Sequence, residues 1–306
     1  MYRRIIVGFD GSEGGDDAVA LGRLLADRTG AELTIAGVMP SRAPRRFLEA
    51  AVGGAERDIE GDVTTRVTRA AAEAGGRPQI ASSGSPAHGL HDLAHELEAD
   101  LVVIGSSASK AKAGRVRAGR TALQLLSGSP SAVALAPAGY RYDHPALRVV
   151  GVAVDGSEQS HEALRSAVEL ADGATLRLIS VAVATNPIGP FWGYGSWGYG
   201  LAELAEAAFH NARRHLDEAV AQVPPELHPS TVLLDGHVAT ELRAEAEKGV
   251  DLLCLGSRAF GPLSRVLLGS VSASVVKDAP CPVLVVPRVA VRESGGDQAT
   301  AVTIAK

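Results

Sequence analysis

The chain has 306 residues, 46% apolar and 21% charged, with a formal net charge of −5. That length suits two domains of about 150 residues, each with a core of ordinary size. The acidic balance argues against nucleic acid as an obligate partner, because phosphate backbones recruit basic surfaces, and two cysteines are too few for a disulfide framework or a four-ligand zinc site.

From the start, Met1–Val7 sets charge before apolar residues, but Asp10 and Gly11 cut the run too early for a signal peptide. No stretch approaches the ~18 apolar residues of a membrane helix, so a cytoplasmic protein without membrane contact is expected. Strands are predicted at 3–9, 32–38, 78–82, 101–104 and 131–136, with helices near 14–29, 46–74, 87–97 and 119–127 between them. The second half repeats the alternation, with strands near 147–154, 175–183, 230–234, 251–255 and 282–286. Continuously apolar strands such as Leu101–Ile104 suit a parallel sheet covered on both faces. Alternating β and α elements then imply α/β architecture, with doubly wound parallel sheets.

The sequence also repeats itself. Ile5–Glu13 returns as Val150–Glu158, Leu101–Ser107 as Leu252–Arg258, and Pro130–Pro137 as Pro280–Pro287. A period this long means duplicated domains in tandem and not a solenoid. The expected division is a first domain at 1–138, a turn-rich linker at 139–146, a second domain at 147–288, and a disordered tail at 289–306.

In a doubly wound sheet, ligands bind at the carboxyl ends of strands where the strand order reverses. Two elements of each half fall there: the Asp-Gly-Ser turn at Asp10 and Asp155, and a glycine-bearing loop starting at Gly105 and Gly256. In the second half Gly269-Ser270 opens a helix, whose unpaired amides favour anions, and Ser270 and Ser272 add hydroxyls. On these grounds alone the loop is either a phosphate cradle or a turn.

The order Gly, two residues, Gly, nine residues, Gly, then Ser or Thr is the nucleotide signature of the universal stress proteins, and the chain resembles a tandem member of that family over residues 2–288. Gly256, Gly269 and Ser270 stand at its first and last positions. The resemblance implies two Rossmann-like domains of the adenine nucleotide alpha hydrolase type, binding ATP or a related adenine nucleotide, with or without Mg²⁺, as a stress-response regulator. It places Asp155, Gly156 and Val181 at the adenine and ribose. It places Arg258, Gly261 and Val271 beside the signature residues and Ser272. In the first half Asp10, Val38, Gly105, Gly119, Arg120 and Thr121 hold the matching places. It further implies that the last strands of two domains pair antiparallel; here Ala132–Ala136 and Val283–Val286 can do so within one chain, hiding otherwise open edges. A homodimer and an unidentified protein partner stay open.

The departures from the signature matter. Its second glycine is Ala259, with Gly261 two residues on; if that position needs positive φ, alanine costs ~1–2 kcal/mol. The first-half loop is one residue longer, and Arg120 replaces the serine after the last glycine. Lys110, Lys112, Arg115, Arg117 and Arg120 crowd this loop, as a solvated basic segment or as side-chain attractors of phosphate. Nucleotide is therefore expected chiefly in the second domain.

Other candidates are weaker. His88, His91 and His95 share a helix face without a completing ligand set. Residues 186–200 alternate glycine with aromatics and read as a lid, an interface or a tucked loop. Cys254 and Cys281 read as inert core thiols. No Gly-Lys-Ser/Thr loop or Gly-x-Ser-x-Gly elbow appears, so no enzyme is expected. The rival readings are a nucleotide-free protein-interaction scaffold and a slow ATPase.

Overall fold

The computed structural model describes residues 2–41, 55–107, 112–142, 146–183, 198–257 and 268–287. The expected tail, most of the aromatic–glycine stretch, and Lys110, Arg258, Ala259 and Gly261 lie outside them.

The first half runs β1 (Arg4–Gly8), α1 (Glu13–Thr29), β2 (Glu32–Pro40), α2 (Ala55–Ala74), β3 (Arg77–Ser83), α3 (Pro86–Glu96), β4 (Leu101–Gly105), α4 (Arg120–Leu126) and β5 (Ala132–Ala136). The second repeats it as β6 (Val149–Ala153), α5 (Glu158–Leu170), β7 (Thr175–Ala182), α6 (Gly198–Val220), β8 (Ser230–Asp235), α7 (Val238–Ala246), β9 (Leu252–Gly256), α8 (Ser270–Val275) and β10 (Val283–Val286). Local chemistry sets the ends. Ser12, Ser85 and Ser157 each cap the following helix by accepting the amide hydrogen of the third residue on. Gly30, at φ +68°, closes α1 and donates its N–H to the Ala26 carbonyl.

All ten strands form one sheet in the order β3-β2-β1-β4-β5-β10-β9-β6-β7-β8. Each half has the order 3-2-1-4-5, parallel throughout, so its reversal point lies between β1 and β4, or β6 and β9. The pleat sorts the side chains. Ile5, Val7, Leu101 and Val103 face one core with Leu21, Leu25, Val67, Leu164 and Leu216 from α1, α2, α5 and α6. Ile6, Val102 and Ile104 face the other, with Leu90, Leu125, Leu242 and Val275 from α3, α4, α7 and α8. This alternation explains why the strands read as unbroken apolar runs.

The halves meet where β5 and β10 pair antiparallel, with Val283 opposite Leu135, Leu284 opposite Ala134 and Val285 opposite Val133. Every residue of both strands is buried. Ala134 makes room for Leu284 on one face, while Val133 and Val285 meet on the other, so both cores run unbroken through the seam. The remaining edges, β3 and β8, are partly exposed and polar at their ends, as open edges must be.

The segment after β5 is anchored. Tyr140–Tyr142 form one 3₁₀ turn, and Tyr140 is buried. Asp17 of α1, 1% exposed, accepts hydrogen bonds from the Gly139 and Arg141 amides at 2.8 and 3.1 Å and pairs with the Arg141 guanidinium at 3.3 Å. Arg115 is drawn away from the first-half crevice. It pairs with Glu247 at 2.5 Å and donates to the Asp278 carbonyl at 3.1 Å, both across the seam. Its neighbours follow: the Val116 amide donates to the Ala279 carbonyl and the Ala118 amide to the Val276 carbonyl. Of the two readings of Arg115, that of a phosphate attractor is not supported, since Glu247, just past the end of α7, holds its guanidinium. Among the described residues, no helix is long and apolar enough to cross a membrane.

Candidate functional site

Each half opens a cavity at the carboxyl ends of its strands, at the reversal point. In both, the turn after the first strand is built the same way. Asp10 Oδ1 accepts from the Ser12 amide at 3.0 Å, and Asp155 Oδ1 from the Ser157 amide at 3.0 Å. Gly11 and Gly156 both sit at φ +75°, which a residue with a Cβ adopts only under strain. The turn aims the start of α1 or α5 at the end of the neighbouring strand. A Cβ on Gly105 would stand 1.8 Å from the Gly14 carbonyl oxygen, and one on Gly256 would stand 2.5 Å from that of Gln159. Glycine is required there by the backbone itself.

The second-half cavity is about 300 Å³. Asp155 and Val181 border it from β6 and β7, Gly256 from β9, and Gly269, Val271 and Ser272 from the start of α8. These are six of the ten residues expected. Gly156 and Ser270 flank the cavity rather than line it, because Gly156 lies under the His215 ring and Ser270 is exposed at the head of α8. Arg258 and Gly261 lie outside the described residues. The Ser272 hydroxyl donates to the Gly256 carbonyl at 3.0 Å. It therefore ties α8 to β9 and offers a ligand its lone pairs rather than its proton.

The first-half cavity is about 440 Å³, and all six expected residues line it: Asp10, Val38, Gly105, Gly119, Arg120 and Thr121. Gly14, Gly15, Ser12 and Ser107 add a small, polar wall. In volume this crevice exceeds the other, so size gives the second half no advantage. Gly119 and Gly269 cap α4 and α8 without a side-chain hydrogen bond.

Sequence reasoning missed the long-helix wall of the second cavity, where Ala208, Asn211, Ala212 and His215 of α6 stand beside Gln159 and Ser160 of α5. Their spacing is that of one helix face, but an apolar–polar mixture at this period carries no motif.

The other candidates lie outside both cavities. His88 and His91 stack with ring centroids 6.5 Å apart and both approach Asp92, at 3.4 Å, on the solvent side of α3. No group of three or more metal-binding side chains occurs among the described residues. Both thiols are buried, which raises their pKa values; that of Cys281 is pushed up to about 12. Neither is a nucleophile at neutral pH.

A model of the universal stress protein family matches residues 1–137 and again residues 146–287. The chain belongs to the universal stress protein family. A universal stress protein of Mycobacterium tuberculosis is 33% identical over 203 residues, covering 65% of this chain and 68% of the relative. One from Bacillus subtilis is 33% identical over 142 residues, 44% of this chain and 95% of its own. Among solved structures, a universal stress protein of Archaeoglobus fulgidus superposes with a TM-score of 0.65 at 18% identity, covering 93% of this chain and 98% of its own. That likeness establishes the fold across both tandem domains.

Proposed function

We propose that this universal stress protein binds ATP or a related adenine nucleotide, chiefly in its second domain, and acts as a cytoplasmic stress-response regulator. The observation that supports this most is a convergence in space. Asp155 and Val181 lie far from Gly256 and Gly269 in sequence, yet all four border one cavity at the strand-order reversal. Its volume, about 300 Å³, falls at the lower end of the range for small-ligand sites, roughly 300–1,000 Å³. Val181 with Ile179 and Val183 would flank the base, while the Gly256 and Gly269 backbones would approach the phosphates. The second domain is favoured because its loop keeps the signature spacing, whereas the first-domain loop carries an extra residue and commits Arg115 across the seam.

The nucleotide would work as a conformational ligand, changing the populations of loop states that a protein partner reads. No catalytic step is proposed. Asp155 is the single acidic side chain on the described wall, and its Oδ1 already holds the Ser157 turn.

Calorimetric titration of nucleotide-stripped protein with ATP and Mg²⁺ tests the reading. One site per chain is expected. Two equal sites would overturn the preference for the second domain and show that Arg120 and its neighbours replace the lost signature. No heat at millimolar ligand, with no thermal shift, would overturn nucleotide binding and leave the scaffold reading.

A further inference from the structure

In each domain the long helix lays one side chain across the glycine of the Asp-Gly-Ser turn. A Cβ on Gly11 would stand 2.5 Å from Arg66 Nη1, and a Cβ on Gly156 would stand 2.5 Å from His215 Cδ2. Arg66 of α2 and His215 of α6 therefore occupy corresponding places. One helical turn earlier come Asp62 and Asn211. In the first domain Asp62 and Arg66 are spent on each other, paired at 3.2 Å, and neither lines the cavity. In the second domain Asn211 and His215 both line it, with the small side chains of Ala208 and Ala212 beside them on the same wall.

The second cavity therefore has two unlike ends. One holds the Gly256 and Gly269 backbones and Ser272; the other is an apolar slot of Ile179, Val181 and Val183 faced by an amide and an imidazole. We propose that Asn211 and His215 are the base-reading pair of the second domain and make it select adenine over guanine. This rests on the nucleotide reading above.

The chemistry of the amide carries the choice. Asn211 presents a donor and an acceptor side by side, matching the N7 acceptor and N6 amino donor of adenine. Guanine offers two acceptors on that edge, O6 and N7, so the amide carbonyl would face a lone pair. Arg214 Nη2 donates to Asn211 Oδ1 at 3.3 Å, which holds the amide in orientation and leaves it a second lone pair and both amide hydrogens. His215, pinned against Gly156, supplies a flat face for stacking and does not distinguish the two purines. Among the described residues α2 presents no such reader to the first crevice.

The test measures the ratio of GTP to ATP dissociation constants by calorimetry on the nucleotide-stripped full chain. Wild type is expected to favour ATP by at least about fivefold, the low end for one bidentate pair. Asn211→Ala should bring the ratio close to one, and Asn211→Arg, with two donors for O6 and N7, should turn it toward GTP. His215→Ala should weaken both nucleotides alike and leave the ratio in place. Asn211 is exposed on α6, so its variants should fold, and unchanged melting would confirm it; Asn211→Gln is the reserve and should retain part of the preference. ATP binding with a ratio unaltered by both Asn211→Ala and Asn211→Arg overturns this inference and leaves nucleotide binding standing. Wild-type protein that binds neither nucleotide overturns both.

Discussion

Replacing Asp17 should destabilise the whole chain, although it touches neither crevice. Its carboxylate is 1% exposed and receives the Gly139 and Arg141 amides and the Arg141 guanidinium. Asp17→Ala leaves two backbone donors without a partner and removes the buried counter-charge from Arg141, which keeps only the exposed Glu13 carboxylate at 3.3 Å. Breaking a buried pair costs ~3–5 kcal/mol. Arg141 keeps the Glu13 carbonyl at 2.6 Å and is 18% exposed, so water and Glu13 recover part of this. About 3 kcal/mol remains, which for domains of this size lowers the melting temperature by roughly 6–12 °C. Asp17→Asn keeps the shape but turns an amide donor toward other donors, and should lose about 2 kcal/mol, near the value of a hydrogen bond to a charged group. The assay is thermal unfolding by circular dichroism, with tryptic cleavage after Arg141 as a second readout. Asp27→Ala is the control, because Asp27 meets Arg23 only at the exposed surface, at 3.8 Å, where such pairs contribute little. Melting within 1 °C of wild type for both Asp17 variants would refute the anchoring argument.

Three further outcomes follow from the same structure. Leu284→Asp should place an unpaired carboxylate against Ala134 in the seam and cost well over 3 kcal/mol; soluble, cooperative unfolding near the wild-type temperature would contradict the paired β5 and β10. Stability should fall as pH rises above about 9, because the buried thiols keep their protons in the folded chain up to about pH 12 for Cys281 while unfolded thiols lose theirs; urea titrations at pH 8 and pH 10 measure the slope, and equal midpoints would deny it. Arg115→Ala should cost on the order of 1 kcal/mol, since Glu247 is half exposed, and the charge swap Arg115→Glu with Glu247→Arg should recover part of it; a swap no better than the sum of its single variants would show that the pair does not couple.

Much of the architecture was legible because the fold writes itself as unbroken apolar strands. Leu101–Ile104 reads as a doubly covered strand and is one, with Leu101 and Val103 in one core and Val102 and Ile104 in the other. The duplication then carried the whole topology from one half to the next, and the family resemblance pointed to the pairing of β5 with β10. Long-range charge was not legible. Arg115 sat in a run of cations that resembled a phosphate loop, yet its partner, Glu247, is 132 residues away just past the end of a helix whose position only the seam determines. The α6 wall was hidden for a related reason: which face of a helix looks into a crevice depends on its rotation over the sheet, and neither Asn211 nor His215 lies in a motif that reports it.

The glycines of the signature separate what the fold demands from what a ligand demands. Gly105 and Gly256 are fixed by backbone contact, since any Cβ would strike the carbonyl of Gly14 or Gln159. Their presence in both halves would be required of a domain that bound nothing, and Gly256→Ala should therefore damage stability first. Gly269 is different. Its φ of −63° and ψ of 154° are open to every residue, so its backbone would accept valine without conformational strain. What glycine gives there is room, because it lines the cavity and brings bare backbone to it. Gly269→Val should thus leave unfolding nearly unchanged, within about 1 kcal/mol, while raising the ATP dissociation constant beyond detection. Full affinity in that variant would move the phosphates elsewhere, and a protein that failed to fold would show that Gly269 answers to packing after all. In the second domain Gly269, and not Gly256, is therefore the glycine whose replacement probes a ligand rather than the fold.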